Sequence, residues 1–164
     1  MNPNDLRKTI VPLLNVFCGV PVIEADGNGP KPDGSHVTYK LTNPYGKDKG
    51  REVEEVAQDG TGFKMIRTES FKTTISFSAY DFDDDISREL AQKVYDWFAF
   101  YGYDDLLNNN IAVIEQTDII NRDAFVVENY ERRNGFDVII RISREMSRNV
   151  DIVEDINIDG QATK

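Results

Sequence analysis

The sequence is poor in the side chains on which most enzymes and metal sites depend. Its 164 residues include one cysteine, Cys18, and one histidine, His36. A lone cysteine excludes an internal disulfide and a thiolate metal cluster, and it is typical of a reducing compartment. Zinc-site spacings fail for lack of ligands, and any Ser-His-Asp or Cys-His pair would have to use His36. This shortage argues against most classes of hydrolase.

Positive charge and long apolar runs are also scarce. The chain has 19 Lys and Arg against 29 Asp and Glu, a formal net charge of -10, with a pI near 4.6. This balance repels phosphate backbones over a Debye length of about 8 Å, which disfavours a dedicated DNA-binding domain. No stretch approaches the roughly 18 apolar residues of a membrane span, and no secretory signal pattern opens the chain. We therefore expect a protein made in the cytoplasm.

The length of the chain and its 40% hydrophobic content predict a single domain over residues 1–164, with its own core. Glycine and proline steps predict an exposed loop at residues 24–36, and a polar run predicts another at residues 43–50. Residues 160–164 are expected to form a flexible tail.

Apolar residues follow helical spacing in two segments and alternate in several others. Residues 3–17 predict an N-terminal helix that Pro12 bends or delays, and residues 86–101 predict a second helix. Strands are predicted at residues 37–41, 52–57, 71–80, 111–117, 124–134, 136–143 and 150–158, the first two forming a hairpin with a charged tip. The predicted fold is α+β, a largely antiparallel β-sheet with two helices packed on one face.

The clearest strands have one apolar and one polar face. In residues 136–143, one face is predicted to carry Phe136, Val138, Ile140 and Ile142. The opposite face then carries Asp137 and Arg141, with Ile139 between them. This pattern predicts that the first set lies in the core.

The acidic run Asp81, Asp83, Asp84 and Asp85 resembles the opening of a calcium loop. The rest of that pattern fails, because the sixth and twelfth places hold Ile86 and Gln92 where the loop needs Gly and Glu. Acids before a helix also satisfy its free amides and favour its positive end. We therefore predict a helix cap and no metal.

Other candidate site residues have simpler structural explanations. Gly27, Gly29, Gly60 and Gly62 lack the spacing of phosphate-binding loops and are predicted to serve turns. His36 is predicted to be a solvent-facing strand residue, and Cys18 a small buried hydrophobic side chain. Too many carboxylates are present for a glycosidase pair to be singled out. No catalytic, cofactor-binding or metal-binding residue is therefore predicted.

An aromatic cluster covers more than one side of the second predicted helix. It contains Tyr95, Trp97, Phe98, Phe100, Tyr101 and Tyr103. Such a helix needs a second packing partner, which is either another subunit or a thick core within the chain.

Four segments together resemble the neck or tail terminator proteins of long-tailed bacteriophages. They are the N-terminal helix, PKPDGSHVTYKL, TTISFSAYDFDDDISRELAQKVYDWF, and YERRNGFDVIIRISREMSRNVDIVEDINIDG. The last is the most specific, because Tyr130, Glu131 and Arg132 precede an alternating strand, a polar gap and a final hydrophobic strand. The resemblance covers most of the chain.

This resemblance implies a structural virion protein, not an enzyme, with no cofactor and no membrane. It implies a homo-hexameric ring at the head-tail junction, which caps the tail tube and docks the head connector. The expected partners are the neighbouring neck or connector ring, tail tube proteins and, in a contractile tail, sheath proteins. DNA would pass through the ring without tight binding, consistent with the acidic charge.

Two alternatives come from other classes of protein. A small acidic host-type binding module would be monomeric and would recognise a peptide or small ligand. An enzyme of unknown class would need His36 or a pair of acids in a pocket. Ring formation distinguishes the virion protein from both.

Overall fold

The computed structural model describes residues 3–27, 29–50, 52–60, 62–126 and 129–150. In chain order, the elements are α1 (Pro3–Cys18), β1 (Val22–Glu24), β2 (His36–Lys47), β3 (Val53–Asp59), β4 (Gly62–Asp81), α2 (Asp84–Asp96), a π-helical turn (Trp97–Tyr101), α3 (Tyr103–Asn108), β5 (Ile111–Gln116), β6 (Ile120–Asn121), β7 (Ala124–Val126) and β8 (Asn129–Val150). Within these ranges, none of the helices has the length and apolar character needed to cross a membrane.

Two long antiparallel strands, β4 and β8, form the centre of the sheet. They pair continuously from Phe63 opposite Val150 to Asp81 opposite Arg132. The central order is β1-β2-β4-β8-β5, with β3 beside β4 and both β6 and β7 beside β8. The pair β1 and β2 is parallel, and the other pairs are antiparallel. The predicted α+β class with a largely antiparallel sheet is confirmed.

Helices α1 and α2 cover one face of this sheet, which we call the inner face; the opposite face is the outer face. Alternation along β4 and β8 places Ile75, Phe77, Phe136, Val138 and Ile140 in the core. The Phe77 ring lies 5.2 Å from Phe98 and 6.0 Å from Phe136, centroid to centroid. The predicted faces of residues 71–80 and 136–143 are therefore confirmed.

The predicted hairpin between residues 37–41 and 52–57 is wrong. Both segments pair with β4, in succession along its length: β2 lies beside residues 71–80 and β3 beside residues 62–68. The hairpin partner of β3 is β4, through a turn in which Gly60 has φ +62°. Residues 43–47, predicted to lie in a loop, instead continue β2 across two shifts in register. Their polarity reflects exposure at an edge, which a strand tolerates.

The predicted break between strands 124–134 and 136–143 is also wrong, since β8 runs through Gly135. A Cβ atom there would lie 2.3 Å from the Phe77 carbonyl oxygen and 3.1 Å from Nη1 of Arg122. Glycine is needed at this position because β8 passes too close to the Phe77 carbonyl oxygen for a Cβ atom to fit. Residues 124–126 form the separate short strand β7, paired with residues 129–131. Of the predicted strand 150–158, all but Val150 lies outside the described residues, as does the predicted tail 160–164.

Two helical predictions also needed adjustment. Helix α1 begins at Pro3 and continues through Pro12, so the proline does not delay its start. Between the predicted helix 86–101 and the predicted strand 111–117, where the sequence predicted no helix or strand, lies the short helix α3 with Leu106 buried. Here Gly102 lies against the Trp97 ring, where a Cβ atom would come within 2.4 Å.

Beyond Phe71 the sheet continues as a narrower unit, which we call the ribbon. It consists of β3, residues 62–69 of β4 and residues 144–150 of β8. Phe71 is buried, whereas Phe63 and Met65, on the same inner face of the ribbon, are half-buried. The inner face of the ribbon is therefore covered less completely than that of the central sheet.

Candidate interaction surfaces

The acidic run before α2 acts as a helix cap, as predicted. The Asp83 carboxylate accepts a hydrogen bond of 2.8 Å from the backbone amide of Asp85, and the Asp81 carboxylate accepts one of 2.9 Å from that of Asp83. The hydrogen bond from the Asp83 amide, followed by one from the Ser35 hydroxyl, holds the pKa of Asp81 below its usual range. Asp84 and Asp85 both pair with Arg88 in the next turn of the helix. The acids therefore serve the start of the helix.

His36 was predicted to face solvent, and the structure shows that this is wrong. Its ring is 3% exposed and stacks on Tyr80 at 4.8 Å between centroids. Its Nδ1 lies 2.6 Å from the carbonyl oxygen of Gly34. The chain between β1 and β2 folds over this side chain, and Lys31 lies above the Tyr80 ring. The loop predicted at residues 24–36 therefore covers His36, the residue at which it ends.

A cleft of about 410 Å³ lies beneath this loop, with Lys31, Tyr80 and Glu131 in its walls. Lys31 and Glu131 form an ion pair there. Among the described residues, no group of three or more His, Cys, Asp or Glu side chains is placed to hold a metal ion. The cleft is therefore lined by the stacked rings of His36 and Tyr80 and by the ion pair of Lys31 with Glu131.

The predictions for Cys18 and for two of the turn glycines are confirmed. Cys18 is buried at the end of α1, and this burial raises the pKa of its thiol despite the nearby charge of Lys93. Gly60 and Gly62 lie at the β3–β4 turn. The thiol is thus a core group with low reactivity.

Charged side chains on the outer face are tied together by short ion pairs. The Asp137 carboxylate accepts hydrogen bonds from Ser76 at 2.6 Å and Arg122 at 2.9 Å. Burial acts to raise the pKa of Asp137, but these donors and the Arg122 charge outweigh it and hold that pKa below its usual value. Asp48 is similarly placed, since a hydrogen bond from Arg141 lowers its pKa. Both carboxylates are thus paired with arginines.

Several aromatic side chains are exposed beside the helices. Phe100, Tyr101 and Tyr103 are 73%, 62% and 63% exposed, while Trp97 and Phe98 from the same segment are buried. The Tyr101 ring contacts Phe100 and Phe17, with centroids 5.3 and 5.2 Å apart. We define the aromatic patch as Phe17, Phe100, Tyr101 and Tyr103. Half of the cluster therefore packs in the core of the chain and half is exposed, and contact of the exposed half with another subunit stays a prediction.

A depression of about 510 Å³, which we call the hollow, lies beside the aromatic patch. The rings of Phe17 and Tyr101 line it together with Glu89, Gln92, Lys93 and Asp96. Lys93 donates a hydrogen bond of 3.1 Å to the Cys18 carbonyl oxygen and lies over the Phe17 ring. Asp96 accepts a hydrogen bond from Gln92 at 2.8 Å. The hollow thus combines aromatic walls with carboxylates.

The inner face of the ribbon combines cations with apolar side chains. Val56, Met65 and Arg148 lie opposite one another on its three strands, and Glu54, Arg67 and Met146 form the next row. Arg67 pairs with Glu52 and Glu54. Arg144, closer to the core, pairs with Glu69. This mixture is suited to contact with another protein surface.

Sequence reasoning identified the aromatic cluster but missed the ribbon. A signal was available: residues 144–150 were interpreted as a polar gap, although Met146 and Val150 continue the alternation of Ile140 and Ile142. The sequence also predicts that the arginines of residues 132–148 pair with acids on the same sheet or on a neighbouring subunit. Arg144 pairs with Glu69 of β4, whereas Arg132 and Arg141 pair with Asp123 and Asp48, which lie in connections beside the sheet.

Comparison with known proteins adds one match. A family model described as phage neck terminator protein matches residues 4–164 of this chain. A search of the curated proteins found no match.

Proposed function

The chain belongs to the phage neck terminator family, and we propose from this that it forms a homo-hexameric ring that caps the tail tube and docks the head connector. Membership makes it a structural protein of the phage neck, located in the virion. The match to residues 4–164 is the observation that carries the proposal, because it covers nearly the whole chain as one unit. We further propose that residues 1–164 fold as a single domain and that the protein is not an enzyme.

The exposed aromatic patch supports a ring. Cyclic assemblies other than dimers join one patch of each subunit to a different patch of the next. Phe100 and Tyr103 are largely exposed, and large aromatic side chains are enriched at the centres of such interfaces. In a ring, the neighbouring subunit would cover the aromatic patch, which is exposed to solvent in the monomer.

The acidic charge supports passage of DNA through such a ring. Each Lys or Arg that contacts phosphate adds affinity by releasing counterions, so a channel for moving DNA works best with few free cations. The net charge is -10, and several arginines of β8 are already paired with acids. The proposed partners are therefore protein rings of the neck and tail, with DNA passing without tight binding.

The test is the number of copies in the assembled neck. Light scattering of the purified full-length chain at high concentration is expected to give the mass of six copies. Electron microscopy of the same sample, and of necks isolated from virions, is expected to show sixfold rings at the junction of head and tail.

A protein that stays monomeric even in virions, or that is absent from virions, would contradict this proposal. A monomer outside the virion that binds a peptide or small ligand would instead support the host-type binding module. Turnover of a substrate that depends on His36 would support the enzyme, although the stacked and buried position of this ring does not favour that outcome.

A further inference from the structure

We propose that Arg148 on the ribbon of one copy binds in the hollow of the neighbouring copy, between its aromatic rings and Glu89. The inference rests on the proposed ring and identifies the two surfaces that would close it. The occupant of the hollow is thus a second copy of this chain.

On the ribbon, Arg148 is an exposed cation with an apolar setting. Its Nη2 lies 3.5 Å from Sδ of Met65, and Val56 completes the row on the third strand. Within the part of the chain that the structure describes, no carboxylate forms an ion pair with Arg148, in contrast to Arg67 and Arg144. Arg148 is therefore available to an external acid.

The hollow has the groups that bind a guanidinium. Tyr101 offers a ring face, on which a planar cation stacks, beside the Phe17 ring, over which Lys93 already lies, and Glu89 and Asp96 offer carboxylates. Glu89 is exposed and, among residues 3–27, 29–50, 52–60, 62–126 and 129–150, pairs with no cation. Lys93 lines the same hollow, but its ammonium group donates to the Cys18 carbonyl oxygen. Glu89 is therefore available as the partner of a cation from another copy.

Charge and apolar surface both favour a second copy as the occupant. Chains with a net charge of -10 repel one another, so a contact between copies needs a local cation facing local acids. Arg148 against Glu89 supplies this arrangement. Beside the charges, Met65 and Val56 would cover exposed aromatic rings of the patch, as methionine sulfur and aromatic faces attract. Because the two surfaces differ, the contact can repeat from copy to copy, and it gives a ring where the rotation between copies closes.

Charge reversal tests the contact. In the full-length chain, Arg148→Glu and Glu89→Arg are each expected to raise the concentration at which rings form by about tenfold or more, since each places like charges face to face. The double variant restores the opposite pair and is expected to assemble within about threefold of the unsubstituted protein. Lys64→Glu is the matched control, because Lys64 lies one residue beyond the Arg148 row but on the outer face of the ribbon.

Light scattering across concentrations and electron microscopy give the readouts, with thermal melting to show that each variant is folded. If the unsubstituted protein forms rings and both single variants assemble equally well, the contact is overturned while the ring stands. Failure of the double variant to recover overturns the pairing of these two residues. Absence of rings from the unsubstituted protein, in solution and in isolated necks, overturns both proposals.

Discussion

The side-chain amide of Asn134 donates a hydrogen bond of 2.7 Å to the hydroxyl of Ser87, and both residues are buried. The same amide donates to the Asp84 carboxylate at 3.0 Å. A polar group of β8 is thus satisfied by the first turn of α2, which fixes where this helix sits along the strand.

Asn134→Ala is expected to lower the free energy of unfolding by about 1 to 3 kcal/mol, because it leaves buried polar groups of α2 without their partner. Chemical denaturation measures this change. Asn149→Ala, at an exposed position of the same strand, is the control and is expected to change stability by less than about 0.5 kcal/mol. Equal losses of unfolding free energy in the two variants would contradict a stabilising role for the buried hydrogen bonds of Asn134.

Ile140→Asp is expected to cost about 3 to 5 kcal/mol, since Ile140 is 0% exposed and the new carboxylate would have no partner in the core. Ile139→Asp is the matched control, because the neighbouring side chain points to the outer face and is half-buried. Thermal melting distinguishes the two. An unchanged melting temperature for Ile140→Asp would contradict the assignment of the inner face.

Asp83→Ala is expected to destabilise the protein by about 0.5 to 2 kcal/mol, because it removes the N-cap of α2. Asp85→Ala removes only an exposed pair with Arg88 and is expected to cost less than about 0.5 kcal/mol. A chelator is expected to leave the melting temperature of the unsubstituted protein unchanged. A rise in that temperature on adding calcium would instead indicate a cation site.

The pH dependence of stability is expected to include a contribution from Asp137. Its pKa is lowered in the folded state, so its contribution is fully present above the unfolded pKa of about 3.9 and is lost as the pH falls through the folded value. In Asp137→Asn, the free energy of unfolding, measured by denaturation at each pH, is therefore expected to change less steeply between neutral pH and about pH 3. Asp118→Asn, at an exposed site, is the control and should leave the slope unchanged.

Duplex DNA is expected to bind no more tightly than the non-specific range of about 10⁻⁴ to 10⁻⁶ M at physiological salt. The chain carries a net charge of -10, and Arg132, Arg141 and Arg144 are already paired with acids. Fluorescence anisotropy with a labelled duplex measures the affinity. Tight binding that weakens steeply with salt would reveal a basic face and move the function toward nucleic-acid handling.

Much of the fold could be predicted because its signals are local. Alternation assigned the inner face of β4 and the middle of β8, and helical spacing located α2. The acids at residues 81–85 marked the start of that helix, although the cap proved to be Asp83. Each of these features depends on neighbours within a few residues along the chain.

The missed features depend on contacts distant in sequence. Strand β2 does not pair with β3, the next strand along the chain, but with residues 71–80 of β4, so that Leu41 lies opposite Ile75. Gly135 resembled a break, but glycine is needed there because β8 passes close to the Phe77 carbonyl oxygen of β4. His36 was misplaced because its cover comes from a polar loop and from Tyr80. Similarly, the hollow and the ribbon are surfaces that only the assembled sheet and helices create.

The continuous pairing of β4 with β8 also has a consequence for the order of folding. Asp81 and Arg132, which pair at one end of the two strands, are nearer in sequence than Phe63 and Val150, which pair at the other end. Forming the Asp81–Arg132 pair therefore costs less chain entropy. Pairing of the two strands is therefore expected to begin beside α2, where the core forms, and to proceed pair by pair toward the ribbon. The residue pairs of the ribbon, including that of Arg148 with Met65, are expected to form last. A newly made chain would thus complete its core before presenting the surface through which it is proposed to meet its neighbours, which limits premature association during synthesis.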